Sequence, residues 1–156
     1  MNRTEILKFR YKRHNETENK VLIGLIDKYP DIIIFDQYNT KTIVNERIKK
    51  YKGTVLLFLD VFTPNLTAKG NHRRIEFLFV NKQSQCIWID AKHANTTTNI
   101  TDLHGEYNRA SNCNGSVQFV VDGKGYSKNV LKEHRKYLKK AKLDNVSVIE
   151  LAEFIK

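Results

Sequence analysis

The sequence predicts an α/β (α+β) protein, a single domain over residues 1–156 with a mixed β-sheet flanked by helices. Segments with helical spacing of apolar residues alternate with short β-branched and aromatic runs, in the order helix, three strands, helix, strand, helix, strand. The chain has 156 residues, of which 40% are hydrophobic and 28% charged, as expected for one globular domain.

The first predicted helix covers residues 16–29. Asn15 and Glu18 have the spacing of a capping box, and apolar residues then recur at helical intervals through "VLIGLIDKY". Glu18 lies on the apolar stripe, so its carboxylate is expected to point toward the core side. The preceding "ILKFRYK" fits a short strand or an extended arm.

The next elements lead into the sheet. "DIIIF" predicts a short buried strand, and "TIVNERIKKYKG" predicts a basic helix that ends at Gly53. The apolar run "TVLLFLDVF", residues 54–62, predicts a central strand, and residues 63–73 predict a loop. "RRIEFLFVNKQSQCIWIDAKHA", residues 73–94, then predicts two strands joined by a short polar turn.

The C-terminal part alternates helices with strands. "TDLHGEYNRA" predicts a helix, "SVQFVV" a strand, and "SKNVLKEHRKYLKKAK" a helix capped by Ser127. The core-facing residues predicted for these two helices are Ile100, Leu103, Tyr107, Ala110, Val130, Leu131, His134, Leu138 and Ala141. "NVSVIE" and "LAEFIK" predict a short strand and a final helical turn.

The charge of the chain favours a polyanionic partner. It has 27 Lys and Arg against 17 Asp and Glu, a formal net charge of +10 and a pI near 9.6. Cations that neutralise phosphates release counterions, so such an excess is most often associated with nucleic-acid binding. The basic helices at 41–52 and 128–142 could contact a nucleic-acid backbone, although a lysine-rich helix face is usually just solvated.

Some classes of protein are disfavoured. Cys86 and Cys113 form neither a disulfide framework nor a zinc pattern. The first residues lack the apolar core of a signal peptide, and no apolar run approaches membrane-spanning length. We therefore expect an intracellular protein, cytoplasmic or nucleoid-associated, with no membrane partner.

Charged residues interrupt both strands of the 73–94 hairpin. Side chains alternate between the two faces of a strand, which puts Asp90 and Lys92 on the same face as Trp88. If the hairpin is symmetric about Gln83, residue i pairs with residue 166 − i, and Glu76 sits directly opposite position 90. Two carboxylates then lie side by side, with Cβ atoms about 5 Å apart.

Opposed carboxylates need a compensating positive charge. A divalent cation such as Mg²⁺ prefers oxygen ligands, and Lys92 falls two residues beyond Asp90 on the same face. Two acids and a lysine on one strand pair predict a site for phosphodiester hydrolysis. The alternative is an edge hairpin on which Glu76 and Lys92 face solvent as a mildly stabilising pair.

At these residues the sequence resembles the PD-(D/E)XK nuclease superfamily, which has the restriction-endonuclease-like fold. The mark of the superfamily is an acid on one strand, an apolar hairpin, and an acid–X–Lys triplet that ends the next strand. Here these are Glu76 in "RIEFLF" and the triplet Asp90-Ala91-Lys92 in "IWIDAK". The resemblance covers most of residues 15–150.

The resemblance implies a metal-dependent nuclease, most closely a DNA endonuclease of restriction, repair or phage type. Glu76 and Asp90, with the backbone carbonyl of Ala91, would bind Mg²⁺, or Mn²⁺ in its place. Lys92 would orient the attacking water and stabilise developing charge on the phosphate. RNA is the alternative polymer, and a homodimer could cut both strands. Alternative functions are a Holliday-junction-type resolvase and a non-catalytic nucleic-acid-binding protein that keeps the fold.

The resemblance leaves two ligand assignments at the metal undecided. An acid on the N-terminal helix, Glu18 or Glu16, would complete or tune it. The sequence departs from the superfamily at the first acid, because Ile75-Glu76 stands where Pro-Asp is common. Asp60, at the end of "LLFLD", competes for the same role. We prefer Glu76, since its short hairpin spacing to the triplet follows the superfamily.

Further candidates surround the motif. Asp102, Glu106 and Arg109 form a polar stripe, which is either a solvated face with an internal Glu–Arg pair or a face that brings Glu106, or His104, beside the site. Candidate nucleic-acid contacts are cations and hydroxyls near the hairpin and on the last basic helix. They are His72, Arg73, Arg74, His93, Thr96, Thr97, Lys128 and Arg135.

Overall fold

The computed structural model describes residues 16–36, 39–63, 73–113 and 115–156, without the side chains at positions 60, 62–63 and 73–76. The helices are α1 (Glu16–Lys28), α2 (Lys41–Lys50), α3 (Ile100–Ala110), α4 (Lys128–Lys140) and α5 (Leu151–Phe154). The strands are β1 (Ile33–Phe35), β2 (Leu56–Thr63), β3 (Arg73–Val80), β4 (Cys86–His93), β5 (Ser116–Asp122) and β6 (Val146–Glu150). The predicted cap Asn15 and the "ILKFRYK" segment lie outside the described residues.

The six strands form one mixed sheet, in the order β1 to β6. β3 runs antiparallel to its neighbours, and all other neighbouring strands pair in parallel. The C-terminal ends of the parallel strands therefore meet at one edge, which we call the carboxyl edge. β2, β4 and β5 reach it at Thr63, His93 and Asp122, and β3 starts there at Arg73. The predicted class, a mixed sheet flanked by helices, is confirmed.

The β3–β4 hairpin has the register that the sequence predicts. The pairs, all symmetric about Gln83, are Phe77–Ile89, Leu78–Trp88, Phe79–Ile87 and Val80–Cys86. Asn81 holds the turn, because its side-chain oxygen accepts hydrogen bonds from the backbone N–H groups of Gln83 (3.0 Å) and Gln85 (2.9 Å). A slip of one residue would move every β4 side chain to the other face, so this turn fixes the face that carries Asp90 and Lys92.

Helices cover both faces of the sheet. α1 and α5 pack on the face that carries Leu57, Ile89 and Ala91, which we call the α1 face. α2, α3 and α4 cover the opposite face, the α3 face, where Phe58 and Phe119 are buried. Because side chains alternate along β4, the neighbours of Ala91 belong to the α3 face. The fold therefore places the side chains of Asp90 and Lys92 between the sheet and the helices of that face.

The prediction that Ala141 faces the core is wrong. α4 ends at Lys140, Ala141 is exposed, and Lys142 has a left-handed conformation with φ of 57°. The backbone N–H of Leu143 then donates to the carbonyl of Leu138 (3.0 Å), the bond of a Schellman motif. Because the helix ends before Ala141, it is Leu143 that packs against the apolar cluster containing Leu138.

Candidate active site

Three charged side chains come together at the C-terminal end of β4. Lys92 Nζ lies 2.8 Å from Glu106 Oε1 and 3.8 Å from Asp90 Oδ1. Asp90 and Lys92 therefore share a face of β4, as their spacing predicts. Glu106 belongs to α3, which packs over the sheet on that side. The structure thus brings an acid from a helix to the acid–X–Lys triplet of a strand.

α3 supplies Glu106 because of the way its apolar stripe packs. Tyr107 is completely buried against the sheet, and Glu106 precedes it on the flank of the helix that turns toward β4. Asp102, one turn earlier, is exposed. Of the two interpretations left open by the polar stripe, the bond to Lys92 supports the one that places Glu106 beside the site.

The cluster is shielded from water. The side chains of Asp90, Glu106 and Lys92 are 12%, 19% and 24% exposed. Two carboxylates therefore lie close to one ammonium among the described side chains. Burial and then the charges of Glu106 and Asp90 raise the pKa of Tyr126 to about 12. The pKa of Tyr107 is raised by burial and by Tyr126, Glu106 and Asp90.

The acids on β2 and β3 are described only as backbone. The pairs Leu59–Phe77 and Val61–Ile75 set position 60 opposite position 76 in the β2–β3 ladder. In the β3–β4 ladder the described pairs reach Phe77–Ile89, one step short of positions 76 and 90. The side chains of Asp60 and Glu76 lie outside the described set, so the choice between them as first acid stays a prediction.

Asp90 and Glu106 have the oxygen-donor chemistry that the Mg²⁺ ion implied by the resemblance requires. Asp90 offers a sheltered carboxylate beside that of Glu106, and hard divalent cations bind such oxygen donors. Within the described ranges, no group of three or more His, Cys, Asp or Glu side chains could hold a metal ion. A third carboxylate is predicted from Glu76, or from Asp60 in its place.

The two acids proposed on the N-terminal helix differ in their surroundings. Glu16 is 83% exposed and lies 3.4 Å from Lys20, which also approaches Asp122 (4.0 Å) at the carboxyl edge. Glu18 is buried at 6% exposure, as its place on the apolar stripe predicts. α1 packs on the opposite face of the sheet from Asp90. Its proposed role at the metal stays a prediction.

His104 contacts the neighbouring helix α4. Its ring stacks on Tyr137 of α4, with centroids 4.1 Å apart and an interplanar angle of 23°. Asn108, one turn later, donates to the Tyr137 hydroxyl at 2.9 Å. These contacts join α3 to α4, and the His104 ring packs between the two helices.

The predicted nucleic-acid contacts are scattered along the carboxyl edge and α4. Thr96, Thr97 and Lys128 are exposed, and exposed His93 lies 2.9 Å from Asn95 Oδ1 through its Nε2. Arg135 differs from these, because its Nε and Nη2 donate to the carbonyl of Val148 on edge strand β6 (3.2 and 3.0 Å). His72 lies outside the described residues, as do the side chains of Arg73 and Arg74.

A buried histidine network joins the elements around the site. His134 of α4 is completely buried, with Nδ1 2.7 Å from the Tyr107 hydroxyl and Nε2 3.4 Å from Thr98 Oγ1. Thr98 Oγ1 also donates to the Gly125 carbonyl (3.2 Å). One neutral tautomer satisfies all three contacts: Tyr107 donates to Nδ1, and Nε2–H donates to Thr98. The periodicity places His134 in the core but carries no signal for these partners.

The His134 network predicts a stability that depends on pH. Burial lowers the pKa of His134, and the charge of Glu133 opposes this only in part, so the unfolded chain takes up the proton more readily than the folded one. The free energy of unfolding that neutral, buried His134 contributes is complete above the unfolded pKa of about 6.5. It is lost as pH falls below that value. Urea unfolding should show a larger fall in unfolding free energy between pH 7.5 and 5.5 for the wild type than for His134→Leu. An equal fall in both proteins would contradict the assignment.

A comparison with known proteins gives no relative for the chain. No helix within the described ranges is long and apolar enough to cross a membrane. No protein-family model, curated protein or solved structure matches the chain.

Proposed function

We propose that this protein is a metal-dependent nuclease that hydrolyses phosphodiester bonds, with DNA as its substrate. The observation that carries the proposal is the cluster of Asp90, Lys92 and Glu106, in which a sheltered lysine lies between two carboxylates at the carboxyl edge. A surface that only binds phosphate gains nothing from carboxylates, since they repel the ligand. A hydrolytic site needs both charges, because a cation must be held and an anionic phosphate must be received.

The acids would hold the metal. Asp90 and Glu76, with the carbonyl of Ala91, are the proposed ligands for Mg²⁺ or Mn²⁺, which when bound lowers the pKa of water and offsets charge on the leaving oxygen. Asp90 is restrained by its strand and by the nearby ammonium of Lys92 (3.8 Å). Its low exposure also strengthens electrostatic interactions, because little water screens them.

Lys92 is the group that the chain itself supplies to the reacting phosphate. An ammonium has three N–H donors, and Glu106 accepts one of them at 2.8 Å. The others are available to orient a water molecule and to donate to a phosphate oxygen as negative charge develops there. Glu106 acts as a positioning residue in this scheme, because its carboxylate holds the ammonium in place.

The carboxyl edge also favours an anionic substrate through its helix termini. α3 and α4 begin there, after the N-caps Asn99 and Ser127, and the N-terminus of a helix carries partial positive charge. In an open sheet of parallel strands, ligands bind outside the carboxyl ends of the strands. The cluster and the helix termini therefore lie where a substrate has access.

The proposal is tested by incubating the protein with supercoiled plasmid, linear duplex, four-way junction DNA and RNA. Each substrate is offered with Mg²⁺, with Mn²⁺ and with EDTA. We expect cleavage of at least one DNA substrate with metal and none with EDTA. A strong preference for the junction would identify a resolvase, whereas binding of all substrates without cleavage in either metal would contradict the proposal.

A further inference from the structure

Most of the excess positive charge of the chain lies on one segment. Residues 124–142 contain eight basic residues and a single acidic one, Glu133, in a chain with a formal net charge of +10. Seven of the eight are exposed lysines, which we call the basic face: Lys124, Lys128, Lys132, Lys136, Lys139, Lys140 and Lys142. Arg135, the eighth, bonds to the sheet and is left out of this surface.

The lysines of the basic face differ from those of α1 in their charge partners. No ion pair joins any of them to another residue of the described ranges, whereas Lys20 on α1 pairs with Glu16 and approaches Asp122. Lys128, Lys132, Lys136 and Lys140 follow one another at intervals of four residues along α4. Pairs of like charges at this spacing destabilise a helix. The surface thus carries a repulsion that an anionic partner would relieve.

The basic face begins beside the candidate active site. α4 follows β5 through the turn at 123–127, and this turn is bonded to the loop that follows Lys92. The Gly125 N–H donates to the carbonyl of Ala94 (2.9 Å), and the N–H of Thr98 donates to that of Gly125 (3.0 Å). A polymer bound at Lys92 would therefore contact Lys124 and Lys128 next. The rest of α4 leads away from the carboxyl edge.

The dimensions and the chemistry of the basic face suit a nucleic-acid backbone. Positions 128 to 140 span about 18 Å of helix, with a lysine about every 6 Å on this stripe. One DNA strand carries a phosphate about every 3.4 Å of axis, so this length faces about five phosphates. An anionic membrane would require apolar residues beside the lysines. The exposed large apolar residues of the described chain are Ile43 and Ile155, and neither lies on α4.

We propose that the basic face is a backbone-binding track for the nucleic acid that flanks the scissile phosphodiester. It binds the polymer through charge and does not distinguish base sequences. One part of this proposal rests on the proposed function, namely that the track starts at Lys92 and leads away from it. It makes α4, and not the other basic helix α2, the main source of affinity, since Arg47 and Lys50 of α2 lie over the rings of Phe35 and Tyr51 (5.3 and 5.4 Å).

Charge reversal on α4, with a matched reversal on α2 and the residues just after it, tests the proposal. One variant combines Lys128→Glu, Lys132→Glu and Lys136→Glu, and the control makes the same change at exposed Lys41, Lys49 and Lys52. Binding to a fluorescein-labelled random-sequence duplex of about 30 base pairs is measured by anisotropy in EDTA, between about 50 and 200 mM NaCl. Circular dichroism and thermal melting confirm that both variants fold.

We expect the α4 variant to bind at least tenfold more weakly at 100 mM salt, with a salt slope reduced by about 2–3, since each lost phosphate contact removes about 0.9. The control should lose less than threefold. Equal losses in the two variants, an unchanged α4 variant, or a wild type that binds neither duplex nor single strands would overturn the proposal. Binding of anionic lipid vesicles in place of duplex would also overturn it.

The plasmid assay separates this proposal from the proposed function. If the α4 variant loses binding as expected but the wild type never cleaves with metal, the track stands and the nuclease fails. If the wild type cleaves and the α4 variant binds and cleaves like it, the nuclease stands and the track fails.

Discussion

Replacing Lys92 with methionine is expected to lower the single-turnover rate of DNA cleavage by about 10²–10³-fold, the cost of removing one group that stabilises transition-state charge. Methionine keeps most of the length and apolar volume of the side chain, but it cannot donate to water or phosphate. Affinity for the duplex in EDTA should change little, because the many lysines of α4 outnumber this partly shielded one. The loss should therefore appear in the rate and not in binding.

A matched control for this prediction is Lys82→Met, at an exposed position in the turn of the same hairpin. Its cleavage rate should equal that of the wild type. If Lys92→Met cleaves at the wild-type rate in the same assay, Lys92 has no part in the chemistry and the resemblance fails at its most characteristic residue.

Replacing Gly125 with alanine should destabilise the protein by about 1–3 kcal/mol, the usual cost of overpacking. A Cβ at this position would collide with the backbone carbonyl oxygen of Thr96 and approach the side chain of Ala94 to 2.8 Å. Backbone atoms cannot swing aside, and the contacting loop is bonded to Gly125 on both sides. The melting temperature should fall by several degrees, as measured by circular dichroism.

Gly24→Ala in α1 is the control for that substitution. Its new Cβ would meet the side chain of Ile155, which is 46% exposed and can move aside. Alanine in a helix interior is favoured over glycine by up to about 1 kcal/mol. The melting temperature should stay constant or rise. A similar fall in both variants would mean that the loop contact at Gly125 is not a rigid part of the fold.

The sequence predicts most of the fold because its signals are local. The hairpin register follows from a short turn whose Asn81 bonds Gln83 and Gln85, all within five residues. The helical stripes predict the buried sides of α3 and α4. The Ala141 error arises where periodicity meets a local stop, since a left-handed Lys142 ends the helix before the pattern does.

The candidate site is predictable only in part, because its contacts cross between elements. The spacing of Asp90 and Lys92 follows from the pleat of one strand. The bond from Lys92 to Glu106 depends on how α3 packs after the crossover, which leaves two interpretations of Glu106 in the sequence. His134 shows the same limit, since its partners Tyr107 and Thr98 lie 27 and 36 residues away along the chain.

The most direct test of the central claim, a metal-dependent hydrolytic site built on Asp90, compares Asp90→Asn with Asp102→Asn. Both remove one carboxylate charge with little change of shape, but Asp102 lies exposed on α3. The measurement is single-turnover cleavage of supercoiled plasmid in Mg²⁺. We predict that Asp102→Asn cleaves like the wild type and that Asp90→Asn produces no nicked or linear product. Equal cleavage by the two variants would contradict the assignment of Asp90 to the site.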